Sequence, residues 1–176
     1  ADRYVLAFGS YSPRLTRRIG FRIPVYPVKG YTITVSTAGW NDAPTVPVVD
    51  YGRKIGIIRL GDRLRFGGMV EFAGYDDSTN PRRGALLMAA MTDLFPGFTT
   101  HATAEHWAVL RPMTPDGVPI LGPSPYRNLF LNTGQGHLGW TMACGTSRLV
   151  ADLISERSPE IDPAGMTLAR FRPMSD

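Results

Sequence analysis

The sequence has one cysteine and three histidines, and both scarcities exclude classes of protein. A single cysteine, Cys144, excludes an internal disulfide and a cysteine-based metal site, and it suits a reducing compartment. Cys144 lies in an apolar helical pattern, which predicts a small buried core residue. The histidines, His101, His106 and His137, are isolated from each other and from carboxylates at ligand spacing, so we expect no metal site. No apolar run approaches the roughly 18 residues that span a bilayer, so we expect neither a membrane-spanning helix nor a signal peptide.

Lysine is also scarce, because Lys29 and Lys54 are the only two, so arginine carries almost all of the positive charge. The net charge is +4, but most arginines are scattered and no aromatic stripe accompanies them, so we do not expect a nucleic-acid partner. One cluster remains and predicts a solvated face, with an acidic partner or an anionic membrane surface as alternatives. Its members are Arg14, Arg17, Arg18 and Arg22.

The composition is that of a folded globular protein, and 19 glycines with 15 prolines predict turns and short strands. An apolar run at residues 4–8, ended by Gly9, predicts a fully buried strand of a parallel sheet. A chain seldom begins inside such a sheet. We therefore expect the 176 residues to be part of a longer protein.

The order of predicted elements indicates a mixed α+β fold that is mostly antiparallel in its middle. Residues 23–35 alternate as an extended segment, and Gly61-Asp62 separates two β runs as a hairpin turn. A helix is expected from a cap at Thr79 or Asn80 to Phe95, and another over residues 138–155. Residues 112–125, broken by proline and glycine, are expected to form a loop after the strand that contains Trp107.

Residues 132–145 contain Gly134, Gly136 and Gly139 in the spacing G-x-G-x-x-G, after an apolar run and before a helical pattern. A dinucleotide fingerprint also requires a second parallel strand and an acidic residue about 20 positions on. Glu160 is near that distance but precedes no convincing strand. We interpret Gly136 and Gly139 as parts of a close-packed strand–loop–helix turn that leaves a helix N-terminus open to a flat or anionic group.

Arg111 ends the apolar strand run and is followed by Pro112, so its side chain is expected where regular strand pairing stops. A guanidinium there can bind a carboxylate through two parallel hydrogen bonds. Pairing with a nearby acid such as Asp116 is an equally weighted alternative.

These features together resemble one family, the FAD-dependent D-amino-acid dehydrogenase small subunit of the glycine oxidase and D-amino-acid oxidase superfamily. The resemblance covers nearly the whole chain in collinear order and corresponds to the family's C-terminal portion. The family's N-terminal unit, which binds the ADP part of FAD, is outside it. The stretches that carry the resemblance are VLAFGSYS, PVYPVKGYTITV, RLRFGGMVEFAGYD, WAVLRPMTPDGVPILG and NLFLNTGQGHLGWTMACGTSRLVADLIS.

The resemblance implies a domain organisation. Residues 1–22 would be part of the FAD-binding domain, and residues 23–110 a substrate-binding domain of mainly antiparallel sheet with one helix. Residues 111–176 would return to the FAD-binding domain with a closing loop and a C-terminal helix.

The resemblance also implies site residues. Arg111 would bind the substrate α-carboxylate, while Ala7 and Gly9 would pass close to FAD. Gln135 stands where the family often has histidine. The loop that faces the flavin would consist of Gly134, Gln135, Gly136, His137, Leu138, Gly139, Trp140 and Thr141.

The reaction implied is oxidative deamination of a D-amino acid to a 2-oxo acid and ammonia, with hydride transfer to FAD and electrons passing to a quinone. The protein would be cytoplasmic, with peripheral contact on the inner face of the bacterial inner membrane. Two alternatives stay open: a related FAD oxidase of glycine, sarcosine or D-amino acids, or a non-catalytic domain that by itself cannot hold FAD.

Overall fold

The computed structural model describes residues 1–98 and 104–171, and the chain divides into two compact units. Unit 1 combines Ala1–Pro27 with Arg111–Asp176, and unit 2 is Val28–Leu110. The resemblance implies a first boundary after residue 22. The structure places it after Pro27, because Ile23 and Val25 are buried in the same core as Leu6.

The strands follow one another in runs that pair mainly antiparallel, and helices stand before, between and after these runs, which confirms the predicted α+β class. Short 3₁₀ turns cover Gly9–Tyr11, Gly136–Leu138 and Leu168–Phe171. The remaining elements, in chain order, are β1 (Tyr4–Leu6), α1 (Ser12–Arg18), β2 (Tyr26–Ser36), β3 (Val48–Asp50), β4 (Ile55–Leu60), β5 (Arg63–Glu71), α2 (Pro81–Leu94), β6 (Glu105–Met113), β7 (Ile120–Pro123), β8 (Leu129–Thr133) and α3 (Gly139–Ile154).

Unit 1 contains a three-stranded sheet in the order β1–β8–β7. β1 is parallel to β8, with Leu6 beside Leu131, as expected for a piece of an α/β layer. The prediction that this strand is fully buried is wrong. Tyr4 and Val5 are 50% and 46% exposed, and only Leu6 is buried, because β1 is the edge strand of this small sheet.

β7 is a second correction, since its residues fall inside the stretch predicted to be a loop. Ile120 and Leu121 are buried, and the strand pairs antiparallel with β8 from Ile120 to Pro123. β7 lies at the other edge of the sheet, where a proline does not interrupt a hydrogen-bond ladder. The prolines and glycines on both sides of Ile120 and Leu121 therefore made an edge strand resemble a loop in the sequence.

Unit 2 contains a five-stranded sheet in the order β3–β4–β5–β2–β6. The alternation predicted for β2 is confirmed, because Tyr31, Ile33 and Val35 are buried in one core. α2 covers that face of the sheet and contributes Leu87 and Met91 to the same core. The core therefore forms between α2 and one face of the sheet.

The turn and cap signals of unit 2 are also confirmed. β4 and β5 form the predicted hairpin, with Leu60 paired to Arg63 across the turn. Asn80 caps α2 by accepting a hydrogen bond from the Arg82 amide, and Pro81 occupies the first turn.

β5 contains a β-bulge just after Gly68. Between the pairs Lys29–Glu71 and Tyr31–Gly68, β5 contributes one residue more than β2. Met69 absorbs the irregularity with a φ of 65°.

Candidate functional site

The glycine loop joins β8 to α3, and its backbone explains two of its three glycines. Gly134 has φ 83°, and a Cβ there would lie 2.7 Å from Cγ2 of Thr114. Gly136 has φ 58°, and a Cβ there would lie 2.8 Å from Sδ of Met113. Gly139 instead has a helical φ of −54° and only ordinary contacts. The tight-turn interpretation therefore applies to Gly134 and Gly136, not to Gly139 as sequence analysis expects.

The end of β1 meets this loop within unit 1. The Thr133 hydroxyl donates to the Gly9 carbonyl at 3.2 Å, and Thr133 Oγ1 lies 3.0 Å from the Ser12 hydroxyl. Gly9 has φ 51°, and a Cβ there would lie 3.8 Å from Cγ of Pro112. The structure thus brings Gly9, two residues after Ala7, to the start of the glycine loop.

The last residues of β6 reach the same place. Met113 forms an isolated antiparallel bridge with Gln135. Two residues earlier, Arg111 is half-buried, and burial lowers the pKa of its guanidinium. Arg111, Gly9 and the glycine loop are therefore supplied by three separate segments of unit 1 that converge.

The alternative partner of Arg111, Asp116, is engaged elsewhere. Arg170 donates to both carboxylate oxygens of Asp116, at 2.7 and 3.2 Å. These hydrogen bonds are the largest cause lowering the Asp116 pKa to about 2. No sequence pattern indicates Arg170 as this partner, because it lies 54 residues away from Asp116.

The start of α3 is open. No side chain caps the helix, and its first turn contains no acidic residue. His137, Leu138, Trp140 and Thr141 are exposed, Trp140 at 96%. Backbone N–H groups in the first turn of a helix have no partner within the helix and carry a partial positive charge. This end of unit 1 therefore fits a flat, electron-rich group such as the pyrimidine end of a flavin.

Two residues that no sequence pattern indicates, Asn132 and Thr114, support the glycine loop. Asn132 accepts a hydrogen bond from the Gln135 side-chain amide at 2.5 Å, which holds Gln135 against its own loop. Thr114 fills the space beside Gly134, and its hydroxyl donates to the Val118 carbonyl at 2.9 Å. In the sequence, the sign of the Asn132–Gln135 contact is a polar side chain three residues before Gln135, which by itself does not predict a hydrogen bond.

α3 also corrects the expectation for Cys144, which is exposed rather than buried. The helix buries its opposite face, through Leu149 and Val150, against β7 and β8. Leu138, predicted to begin this helix, instead precedes its first turn and is 46% exposed.

Within residues 1–98 and 104–171, no three histidine, cysteine or acidic side chains are grouped so that they could hold a metal ion. His101 lies outside the described residues. None of the described helices has the length and apolar character that crossing a bilayer requires.

Comparisons with known proteins show the family and the fold of the chain. Residues 1–153 match the family model described as DAO, FAD dependent oxidoreductase. Glycine oxidase from Geobacillus kaustophilus is 28% identical with a TM-score of 0.82, over 98% of this chain and 46% of that chain. Two further structures share the fold. Iminodiacetate oxidase from Chelativorans sp. BNC1 is 24% identical with a TM-score of 0.81, over 96% of this chain and 46% of that chain. L-proline dehydrogenase from P. horikoshii is 20% identical with a TM-score of 0.79, also over 96% of this chain and 46% of that chain. The chain spans about half the length of these relatives. It belongs to the DAO family of FAD-dependent oxidoreductases.

Proposed function

We propose that the chain is the substrate-binding and flavin-facing portion of a flavoprotein that oxidatively deaminates D-amino acids. The products are a 2-oxo acid and ammonia. The observation that carries the proposal is the convergence of Gly9, the β6 end near Arg111 and the glycine loop beside the uncapped start of α3. The dehydrogenase assignment rests on the resemblance of the stretches around Arg111 and Gly139.

FAD, when bound, supplies a hydride acceptor for the substrate α-carbon. The residues that would hold its flavin end are Ala7, Gly9 and the loop from Gly134 to Thr141. The open amides of α3 would stabilise negative charge at the pyrimidine end, which tunes the cofactor toward reduction. Gln135, held by Asn132, would shape the loop rather than donate freely to the cofactor.

Arg111 would bind the substrate α-carboxylate through its planar fork. The neutral amine of the substrate drives hydride loss with its own lone pair, so the chain needs little acid–base machinery. The resulting imino acid is hydrolysed by water. Catalysis would consist mainly of positioning, in which a fixed carboxylate holds the α-hydrogen in one orientation.

A quinone acceptor would place the protein at the cytoplasmic face of the bacterial inner membrane as a peripheral protein. Arg14, Arg17 and Arg18 of α1 and nearby Arg22 offer positive charge for that contact. Co-sedimentation with anionic vesicles, but not with zwitterionic ones, is the expected result. Equal recovery with both vesicle types would remove this part of the proposal.

The deciding experiment uses the FAD-loaded gene product that contains this chain. D-alanine and L-alanine are supplied separately, with either a quinone-like dye or oxygen as the acceptor. We expect dye reduction with D-alanine alone and little peroxide. Rapid peroxide release would reject the dehydrogenase assignment.

A related oxidase is the second candidate, and the 28% identity to a glycine oxidase is the observation that favours it. In that case glycine would be oxidised with peroxide formation in the same assay. The third alternative concerns the 176 residues alone, which we expect to bind FAD weakly without the ADP-binding unit of the relatives. A yellow complex that survives gel filtration of the 176-residue chain would contradict this expectation.

A further inference from the structure

Unit 1 contains a cavity of about 500 Å³ that is lined by none of the residues assigned to the flavin or to the substrate. It lies between the chain that follows α1, the loop between β7 and β8, and the 3₁₀ turn Leu168–Phe171. All of its lining residues belong to unit 1, so the cavity needs no contribution from unit 2. Its volume is in the range of small-molecule pockets, roughly 300–1,000 Å³.

The walls of the cavity are apolar and continue the core of unit 1. Ile23 is buried in the core cluster that contains Leu6. Phe21, Leu168 and Phe171 are half-buried and pack against the same cluster. A ligand that covers the remaining exposed part of these side chains would remove apolar surface from water.

Arg170 holds one wall of the cavity in place. Its guanidinium donates to the Thr167 carbonyl at 3.0 Å and to the Asp116 carboxylate at 2.7 Å. Its guanidinium carbon lies 4.1 Å from the centre of the Phe171 ring. The turn that contains Leu168 and Phe171 is therefore tied to the loop before β7, and the wall is formed before a ligand enters.

Arg17 and Arg22 are the charged residues of the lining. Both are exposed, and neither side chain forms an ion pair or a hydrogen bond with a described residue. An exposed ion pair contributes little affinity by itself, whereas each methylene group that is buried tightens binding about fourfold. The apolar walls would therefore supply most of the affinity, and the two arginines would select a negative charge.

We propose that this cavity binds an organic anion with a single apolar chain, such as a medium-chain carboxylate. The anionic head is held by Arg17 and Arg22, and the chain packs on Phe21, Leu168 and Phe171. The inference does not depend on the proposed function, because this ligand is neither the amino-acid substrate nor FAD.

The first test measures the binding of sodium octanoate to the 176-residue chain by calorimetry at constant ionic strength. Octanoate has two methylene groups more than hexanoate and should bind about tenfold more tightly, whereas acetate should not bind measurably. 1-Octanol has the same chain without the charge and should bind more weakly than octanoate. Equal affinities for octanoate and 1-octanol, or the absence of saturable octanoate binding, would overturn the inference.

The second test uses two double variants, each checked for its fold by circular dichroism. Arg17→Met combined with Arg22→Met should weaken octanoate binding about fivefold and leave 1-octanol binding unchanged, because methionine keeps an apolar stem. Arg14→Met combined with Arg18→Met is the matched control, since both residues are exposed and neither lines the cavity. An equal loss of octanoate binding in the two double variants would show a general effect of net charge and would overturn the inference.

The third test places the ligand by NMR. The methyl signals of Ile23 and Leu168 should shift saturably with octanoate, whereas those of Val5 and Leu15, on the exposed apolar surface of β1 and α1, should not. Shifts confined to Val5 and Leu15 would overturn the inference. None of these measurements contains FAD or an amino acid, so a negative result leaves the proposed deamination intact.

Discussion

The Thr133 hydroxyl donates to the Gly9 carbonyl at 3.2 Å across a sequence separation of 124 residues. Thr133 is fully buried, and its hydroxyl also lies 3.0 Å from that of Ser12. One side chain therefore ties the end of β1 to the end of β8, the two segments expected to pass beside the flavin.

Replacing Thr133 with valine, which has the same shape, should destabilise the chain by about 1–3 kcal/mol, because the polar partners of the hydroxyl stay buried without it. Urea denaturation measures the change. Thr133→Ser keeps the hydroxyl and should lose less stability. Equal losses in the two variants would show that the methyl group, not the hydrogen bond, matters.

Gly134→Ala should destabilise the chain by about 2 kcal/mol, since the residue has φ 83° and its new Cβ would press on Thr114. Gly139→Ala is the matched change in the same loop, and it should alter stability little because φ is helical and space is present. The two midpoints of urea denaturation give the comparison. A large loss in Gly139→Ala would contradict the assignment of the tight turn to Gly134 and Gly136.

The Lys29–Asp76 ion pair of unit 2 should respond asymmetrically to mutation. The atoms Nζ and Oδ2 lie 3.0 Å apart, and the Lys29 side chain is 2% exposed while that of Asp76 is 54% exposed. Burial alone would lower the pKa of Lys29, but hydrogen bonds with Asp76 and Tyr31 outweigh it and raise the pKa. Asp76→Ala leaves a buried charge without its carboxylate, whereas Lys29→Met leaves a carboxylate in water.

We therefore expect the highest urea midpoint for wild type, a lower one for Lys29→Met and the lowest for Asp76→Ala. Circular dichroism of each variant before denaturation confirms that it is folded. The reverse order of the two variants would show that packing of the lysine stem dominates over its charge.

Acid should remove the contribution of the Asp116–Arg170 pair. The pKa of Asp116 is about 2 in the folded chain, chiefly because Arg170 donates to it, against about 3.9 when unfolded. Because the pKa of Asp116 is lower in the folded chain than in the unfolded chain, the pair stabilises the fold above pH 4, and this stabilisation is lost as the pH falls toward 2. Asp116→Asn should flatten the fall of the urea midpoint across this window.

Asp42→Asn is the control for the loss of one carboxylate, because Asp42 is exposed and forms no ion pair with a described residue. Its midpoint at neutral pH should equal that of wild type. Identical curves for wild type and Asp116→Asn would remove the pair from the acid response.

Arg111→Met should lower kcat/KM for D-alanine in the FAD-loaded protein by about 100-fold or more, the cost of leaving a desolvated carboxylate without its partner. Arg111→Lys should recover part of the loss because it restores the charge but not the fork. Steady-state kinetics with a quinone-like dye provides the measurement. An unchanged kcat/KM in Arg111→Met would remove Arg111 from the site.

The sequence predicts unit 2 well because its signals are local. The alternation of Tyr31, Ile33 and Val35, the hairpin turn and the Asn80-Pro81 helix start each depend on neighbours within a few residues. Whether β1 and Cys144 are buried or exposed could not be predicted in this way. Those positions are apolar in sequence, and their exposure depends on which segments pack against them.

The candidate site could be predicted only in part for the same reason. Gly134 and Gly136 stand out by their spacing, but the atoms that require glycine there belong to Thr114 and Met113. The partner of Asp116 likewise comes from a distant segment, Arg170. Resemblance to the family implies that Arg111, Gly9 and the glycine loop share one site, which periodicity alone could not indicate.

The division of the chain also predicts which part of it can fold alone. Unit 2 is one continuous stretch, and its core is formed by its own residues, from Tyr31 to Phe98. Unit 1 instead joins two stretches that are separate in sequence, and Leu6 of the first pairs with Leu131 of the second. Residues 28–110 expressed by themselves should therefore unfold cooperatively in urea, as a domain with its own core does.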